Sequence, residues 1–325
     1  MLAGVLLAEG IARVMDPSGG EDLLFGAADG RPHGLYSFDA ELGQVPTPGF
    51  QGELRSLDYR VPLSFDEHGL AGGGESDTLV IGDSFALSLQ VPHEQSFHAR
   101  IGALNGGVDG YSTWQATGRY RRLADDLALS RVVLIFFLGN DLHDNTWLRR
   151  NRRWPRIQEP PPMPGWRRLL FDHSAVYAWI RVAQHRKRSA QRPNPQWLDE
   201  LRLFHQEGSL EREIEPTREA LLELKAEAEQ QDHDLVVAVA PPAFVVHRER
   251  AAGTFEMVGL DPSGARLDAP SEGVLALLQE LDIDACDLQT PLIEQAGEEA
   301  LYFTFDGHWN AAGHRVVGEA LATCL

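Results

Sequence analysis

The sequence predicts a doubly wound α/β protein, a flavodoxin-like three-layer α/β/α sandwich around a central five-stranded parallel sheet. Three observations point there. The chain has 325 residues, enough for one large α/β domain with insertions. From Thr78 onward, apolar runs alternate with stretches of helical periodicity, as parallel strands joined by crossover helices require. The longest runs also stop abruptly at clusters of Gly, Asp, Asn and Ser, which is how strands feed loops at their carboxyl ends.

In chain order, "MLAGVLLAEGIARVMDP" opens with a short apolar stretch before Glu9 and no basic residue ahead of it. It is too short to span a bilayer and lacks the charged start of a secretory signal, leaving either an amphipathic first helix or the tail of an anchor helix. Residues 30–75, rich in Gly and Pro, read as loops and short edge strands. The strands expected of the sheet are "TLVIG" (78–82), "IGALN" (101–105), "RVVLIFFLG" (131–139), "DLVVAVA" (234–240) and "DIDACDL" (282–288). Between them, "QATGRYRRLADDLAL", "PTREALLELKAEAEQQ" and "SEGVLALLQEL" carry helical periodicity, and "NAAGHRVVGEALATCL" closes the chain as a helix. Residues 143–215 break the alternation with a basic insertion rich in Trp and Pro, either a solvated surface or a lid over the sheet edge. The expected organisation is therefore an N-terminal extension, 1–75, packed on a core domain, 76–325, that holds this insertion.

Composition narrows the function classes. With 43% hydrophobic and 24% charged residues the chain is of the globular type. A formal charge of -19 argues against general nucleic-acid binding, which needs a basic face. Cys286 and Cys324 suggest neither a disulfide framework nor a metal cluster; Cys286 reads as a small buried hydrophobe. No glycine loop with a lysine is present to cradle phosphate, so phosphoryl transfer is not favoured.

The strand ends carry the candidate chemistry. The first long run stops at Gly82-Asp83-Ser84, the next passes into Gly106-Gly107-Val108-Asp109-Gly110, and the third stops at Gly139-Asn140-Asp141. Neighbouring parallel strands would bring all three together. Acyl transfer by serine needs a hydroxyl, a base for its proton and donors for the oxyanion. Ser84 offers the hydroxyl. The backbone N–H groups of Ser84 and Gly110 and the Asn140 amide offer the donors, with glycine at 110 allowing close approach of substrate. In "YFTFDGHWNAAGH", Asp306 and His308 offer a base and the carboxylate to orient it. Asp83 is read as structural, and His314 as a residue of the closing helix.

These four blocks, Gly82-Asp83-Ser84-Phe85, Gly110 in "NGGVDGYS", Gly139-Asn140-Asp141 and Asp306-Gly307-His308, resemble in order and rough spacing the signatures of the SGNH, or GDSL-type, hydrolase superfamily. The resemblance spans about residues 78–325. It implies the SGNH hydrolase fold, Ser84 as nucleophile, His308 as general base and then acid, Asp306 as its orienting carboxylate, and Ser84, Gly110 and Asn140 as the oxyanion hole. No metal or other cofactor is implied. Many members place the acid three residues before the histidine, where this chain has Phe305; the Asp-x-His spacing resembles polysaccharide O-acetyltransferase-like members and several bacterial subgroups. "SFDAELGQVPTPGF" and "GNDLHDN" resemble a bacterial subgroup often encoded with one N-terminal membrane helix, which implies membrane proximity and catalysis outside the cytoplasm.

The reading is a serine esterase that removes a short acyl group, acetyl foremost, from a carbohydrate-linked ester. The alternatives are an O-acetyltransferase acting on a polysaccharide, a lipase-like enzyme favouring longer acyl chains, and a non-catalytic carbohydrate-binding or scaffold protein on the same fold. Trp147, Trp154, Trp166 and Trp179 of the insertion offer either stacking faces for a sugar or ordinary packing.

Overall fold

A computed structural model of the chain describes residues 34–56, 58–151 and 195–325, with single positions between 4 and 11 and between 166 and 180. Two hairpins precede the core. β1 (Tyr36–Asp39) pairs antiparallel with β2 (Gly43–Pro46), and β3 (Gln51–Arg55) with β4 (Arg60–Ser64). The expected edge strands are thus two separate small sheets, and neither extends the central one. In β4 the alternation is strict: Val61 and Leu63 are buried between exposed neighbours. That inward face joins Leu54, Phe65, Leu87 and Leu89 in a small core of its own.

The central domain runs through β5 (Thr78–Gly82), α1 (Ser84–Leu87), α2 (Phe97–Ile101), β6 (Leu104–Asn105), α3 (Thr113–Ala124), β7 (Arg131–Phe137) and α4 (Asp141–Asn151). It continues with α5 (Pro195–Arg202), α6 (Leu210–Gln231), β8 (Asp234–Ala240), α7 (Ala243–Val246), α8 (Ala251–Met257), α9 (Ala269–Glu280), β9 (Asp284–Asp287), α10 (Gln289–Gln295) and α11 (Ala311–Cys324). The five parallel strands lie in the order β6-β5-β7-β8-β9. The chain reverses direction across the sheet at β5, and the crevice at such a switch point is where open α/β sheets place their sites.

Both faces of the sheet are covered, which is why its strands are apolar without alternation. Leu79, Ile81, Leu134 and Val237 face α3, α6 and α9; Val80, Val133, Ile135 and Ala238 face α1, α2 and α11. The insertion, 143–215, begins within α4. Its described end contributes Leu201, Leu203 and Phe204 to the first of these cores, while Trp154 and Trp179 lie outside the described residues. Most of the N-terminal segment also lies outside them. Among the described residues, no helix is long and apolar enough to cross a membrane.

Four expectations are corrected. The strand expected over 101–105 is only Leu104–Asn105, because Ser96 caps α2 through the Ala99 N–H and Gly102 ends it in the left-handed region at φ 64°. The strands expected over 131–139 and 282–288 are shorter, Arg131–Phe137 and Asp284–Asp287. Cys286 and Cys324 form a disulfide, with Cα atoms 5.8 Å apart, because packing of α11 on the sheet brings its last turn over β9. A bridge of this kind typically adds about 2–4 kcal/mol of stability, and it secures the helix that follows His308.

Candidate active site

Ser84 follows a turn that only glycine permits. Gly82 has φ 138°, and a Cβ there would lie 2.6 Å from the Ile135 carbonyl oxygen of β7. Gly82→Ala is therefore expected to destabilise the protein by about 1–3 kcal/mol, read as a lowered midpoint of denaturant unfolding. Asp83 then caps α1, its Oδ1 accepting from the Phe85 N–H at 2.8 Å, so Ser84 begins the helix with its hydroxyl at the sheet's carboxyl edge.

His308 and Asp306 come from the loop before α11. The loop closes on itself: Phe303 N–H donates to the His308 carbonyl at 2.8 Å and Asn310 N–H to the Leu301 carbonyl at 3.0 Å. Asn310 caps α11 through its Oδ1, accepting from Ala312 and Gly313 N–H. His308 Nε2 lies 2.8 Å from Ser84 Oγ, and its Nδ1 lies 2.5 Å from Asp306 Oδ1. The Phe85 ring sits 4.7 Å from the imidazole, backed by Phe137 and Trp309. Ser84, His308 and Asp306 thus form one hydrogen-bonded chain, with the His308 and Asp306 side chains 21% and 18% exposed.

Charge follows geometry. Burial works to raise Asp306, but the His308 hydrogen bond and charge, with the Tyr59 hydroxyl, hold it below its ordinary range. Burial works to lower His308, yet the Asp306 hydrogen bond and charge, with Asp109 and Asp83 farther off, lift it above its ordinary 6.5. A base raised in this way is a stronger proton acceptor for the Ser84 hydroxyl.

The expected oxyanion groups stand at the neighbouring strand ends. Loop 106–112 lies along the end of β5, with Gly106 N–H donating to the Val80 carbonyl at 2.8 Å and Val108 N–H to Gly82 at 3.0 Å. Gly110 adopts φ 67°, and a Cβ there would meet no protein atom within 4 Å. Within the protein, then, its backbone conformation is what calls for glycine. The first hairpin grips this loop: Tyr36 donates to Asp109 Oδ2 at 3.0 Å, Gln44 Nε2 to the Asp109 carbonyl at 2.7 Å, and Tyr111 to the Gln44 carbonyl. Asn140 follows β7, which pairs directly with β5. Its Nδ2 donates to Asp144 Oδ2 at 2.9 Å, which fixes the rotation of the amide.

Residues 192–325 match the family model of an SGNH hydrolase-like domain, described as that of the acetyltransferase AlgX. No curated relative matches significantly. Among solved structures, the chain is similar to a G-D-S-L family lipolytic protein from Desulfitobacterium hafniense, at 15% identity over 77% of this chain and 100% of that one, TM-score 0.41. It is also similar to an acetylxylan esterase from Geobacillus stearothermophilus, at 11% identity over 78% of this chain and 95% of that one, TM-score 0.41. An acylhydrolase from Bacteroides fragilis is 11% identical over 76% of this chain and 84% of that one, TM-score 0.40.

Beneath the strand ends lie carboxylates that sequence reasoning left aside. Burial pushes Asp83 up to about 7 against the opposing Phe85 N–H and His308, and pushes Asp144 up to about 6 against His143 and Asn140. Asp141, hydrogen-bonded to the Phe137 N–H at 2.8 Å, is pushed well above its ordinary value by burial and by the charges of Asp83 and Asp144. Two polar groups were also missed on the other side of Asp306. Tyr59 donates to Asp306 Oδ2 at 2.6 Å, and Asp58 Oδ2 accepts the N–H groups of Phe305 and Asp306 at 2.8 and 2.9 Å. Among the described residues, no group of three or more His, Cys, Asp or Glu side chains is arranged to hold a metal ion.

Proposed function

We propose that this chain is a serine esterase that removes short acyl groups, acetyl foremost, from carbohydrate-linked esters through an acyl-enzyme on Ser84. The observation that carries the reading is the unbroken chain from Ser84 Oγ through His308 to Asp306. Ser84 Oγ attacks the ester carbonyl carbon while His308 Nε2 takes its proton. The tetrahedral oxyanion is held by the N–H groups of Ser84 and Gly110 and by the Asn140 amide. As the carbonyl re-forms, the C–O bond to the alcohol breaks and His308 returns the proton to the leaving oxygen. Water then repeats the sequence on the acyl-enzyme, releasing a carboxylic acid and restoring Ser84. Asn140→Ala is expected to lower kcat by about 10²–10³-fold with little change in KM, since it removes a donor needed chiefly in the transition state.

A second reading, transfer of the acetyl group to a polysaccharide hydroxyl, is supported by the Asp-x-His spacing and by the description of the matching family model. It differs only in whether water or a sugar hydroxyl meets the acyl-enzyme. The carbohydrate preference draws further support from Trp147 and Trp166, whose side chains are 56% and 60% exposed. A non-catalytic binding protein would have no need to keep the triad assembled. The Cys286–Cys324 disulfide supports an oxidising compartment outside the cytoplasm.

The test is turnover of a chromogenic acetyl ester, alone and with added oligosaccharide. Release of acetate supports the esterase, and acetylated oligosaccharide at the expense of acetate supports the transferase. Turnover that rises with acyl length would instead favour a lipase-like enzyme, and no turnover of any ester would favour a binding protein.

A further inference from the structure

The second hairpin belongs to the N-terminal extension, 247 positions in sequence from the catalytic carboxylate it touches. Asp306 stands on a loop, two residues before His308, with no strand to hold it. Its Oδ1 is engaged by His308, and its Oδ2 receives the Tyr59 hydroxyl at 2.6 Å. The backbone on either side of it is tied down as well, because Asp58 Oδ2 accepts from both Phe305 and Asp306 N–H. The turn presenting these two residues is itself closed by Ser56 N–H donating to the Tyr59 carbonyl at 2.8 Å. The Tyr59 ring packs on Phe303, ring centroids 5.0 Å apart, and walls a cavity of about 430 Å³ with Arg60, Gln90 and Asn310.

We propose that Tyr59 and Asp58 are positioning residues that fix Asp306 for catalysis, so that the working assembly is a relay Tyr59–Asp306–His308–Ser84 completed by the N-terminal extension. This rests on the serine-enzyme reading above. A carboxylate bonded at one oxygen only can rotate away from the imidazole; one bonded at both is held in plane with it. Burial and the Asp306 charge push the Tyr59 phenol further above its ordinary range, so it stays a donor at every working pH. The groups facing His308 are Asp306 on its own loop, Asp109 after β6, Asp83 before α1 and His314 on α11. Tyr59→Phe removes a hydrogen bond from only the first of these, and keeps the ring that packs on Phe303.

The experiment compares wild type, Tyr59→Phe, Asp58→Asn and Asp58→Ala in the full chain. It reads the rate at which a fluorophosphonate probe labels Ser84, and the pKa of His308 by NMR titration. Tyr59→Phe is expected to slow labelling about tenfold, the order of a lost hydrogen bond to a charged partner, and to move the His308 pKa from its wild-type position. Asp58→Asn, which keeps an oxygen acceptor, should retain most of the rate that Asp58→Ala loses. Labelling within about twofold of wild type in Tyr59→Phe and Asp58→Ala, with an unmoved His308 pKa, would overturn the proposal. If wild-type Ser84 does not label at all, the nucleophile reading falls, and the His308 titration alone decides whether Tyr59 governs the Asp306–His308 pair.

Discussion

Ser84→Ala is expected to lower turnover of an acetyl ester by at least about 10⁴-fold while leaving the unfolding midpoint near that of wild type. The hydroxyl meets His308 Nε2 at 2.8 Å and is no part of the helix cap, which Asp83 supplies. On the proposed mechanism, removing it costs the covalent intermediate without costing α1 its start. The oxyanion donors remain, so residual rate above that of water is expected from them. Steady-state kinetics beside a denaturant titration checks both halves. Activity close to wild type would remove Ser84 from the mechanism.

Asp306→Asn is expected to cut kcat by about 10⁴-fold with the fold intact. An amide presents a donor and an acceptor where the carboxylate presents acceptors only, so the group 2.5 Å from His308 Nδ1 no longer fixes the tautomer with Nε2 free to take a proton. The pH profile gives an independent reading. His308 lies above its ordinary 6.5 because Asp306 outweighs burial, and a base works only when unprotonated. In wild type the acidic limb of kcat/KM should have its midpoint above 6.5, with activity lost as pH falls through it. In Asp306→Asn the attraction is gone and the midpoint should move to lower pH. A nearly normal kcat would instead make the site a Ser84–His308 dyad.

How much of this was legible in the sequence follows from the range of each interaction. The strands 78–82 and 234–240 match β5 and β8 residue for residue, because a run buried on both faces declares itself locally. The run 101–105 misled, since periodicity over so few apolar residues does not separate a helix end from a strand; the Ser96 cap and the Gly102 turn decided it. That Ser84, Asp306 and His308 would meet was legible because each lies in a compact polar cluster at a strand or loop edge. Gly110 was found as a residue, but a φ of 67° is a backbone fact that sequence alone did not distinguish from the need for close approach.

What stayed hidden is what the chain brings together from far apart. Asp58 and Tyr59 have nothing around them in sequence that points to a loop 247 or 248 positions away, and they look like ordinary residues of a hairpin turn. The two cysteines are 38 residues apart, and their pairing depends on α11 packing across β9, a tertiary event with no local signal. The buried Asp141 and half-buried Asp144 sit in a sequence that reads as a turn leading into a helix. Their depth comes from the packing of α4 against α6 and the neighbouring strand ends.

The most direct test of the central claim is to find the acyl group itself. The protein is mixed with a chromogenic acetyl ester, quenched in acid within the first turnovers and digested, and the acetylated peptide is sequenced by mass spectrometry. The expected result is one acetyl group on Ser84 of the wild type and none at that position in Ser84→Ala. Acetyl carried by another residue during productive turnover, with Ser84 unmodified, would contradict the acyl-enzyme mechanism and the site built around it.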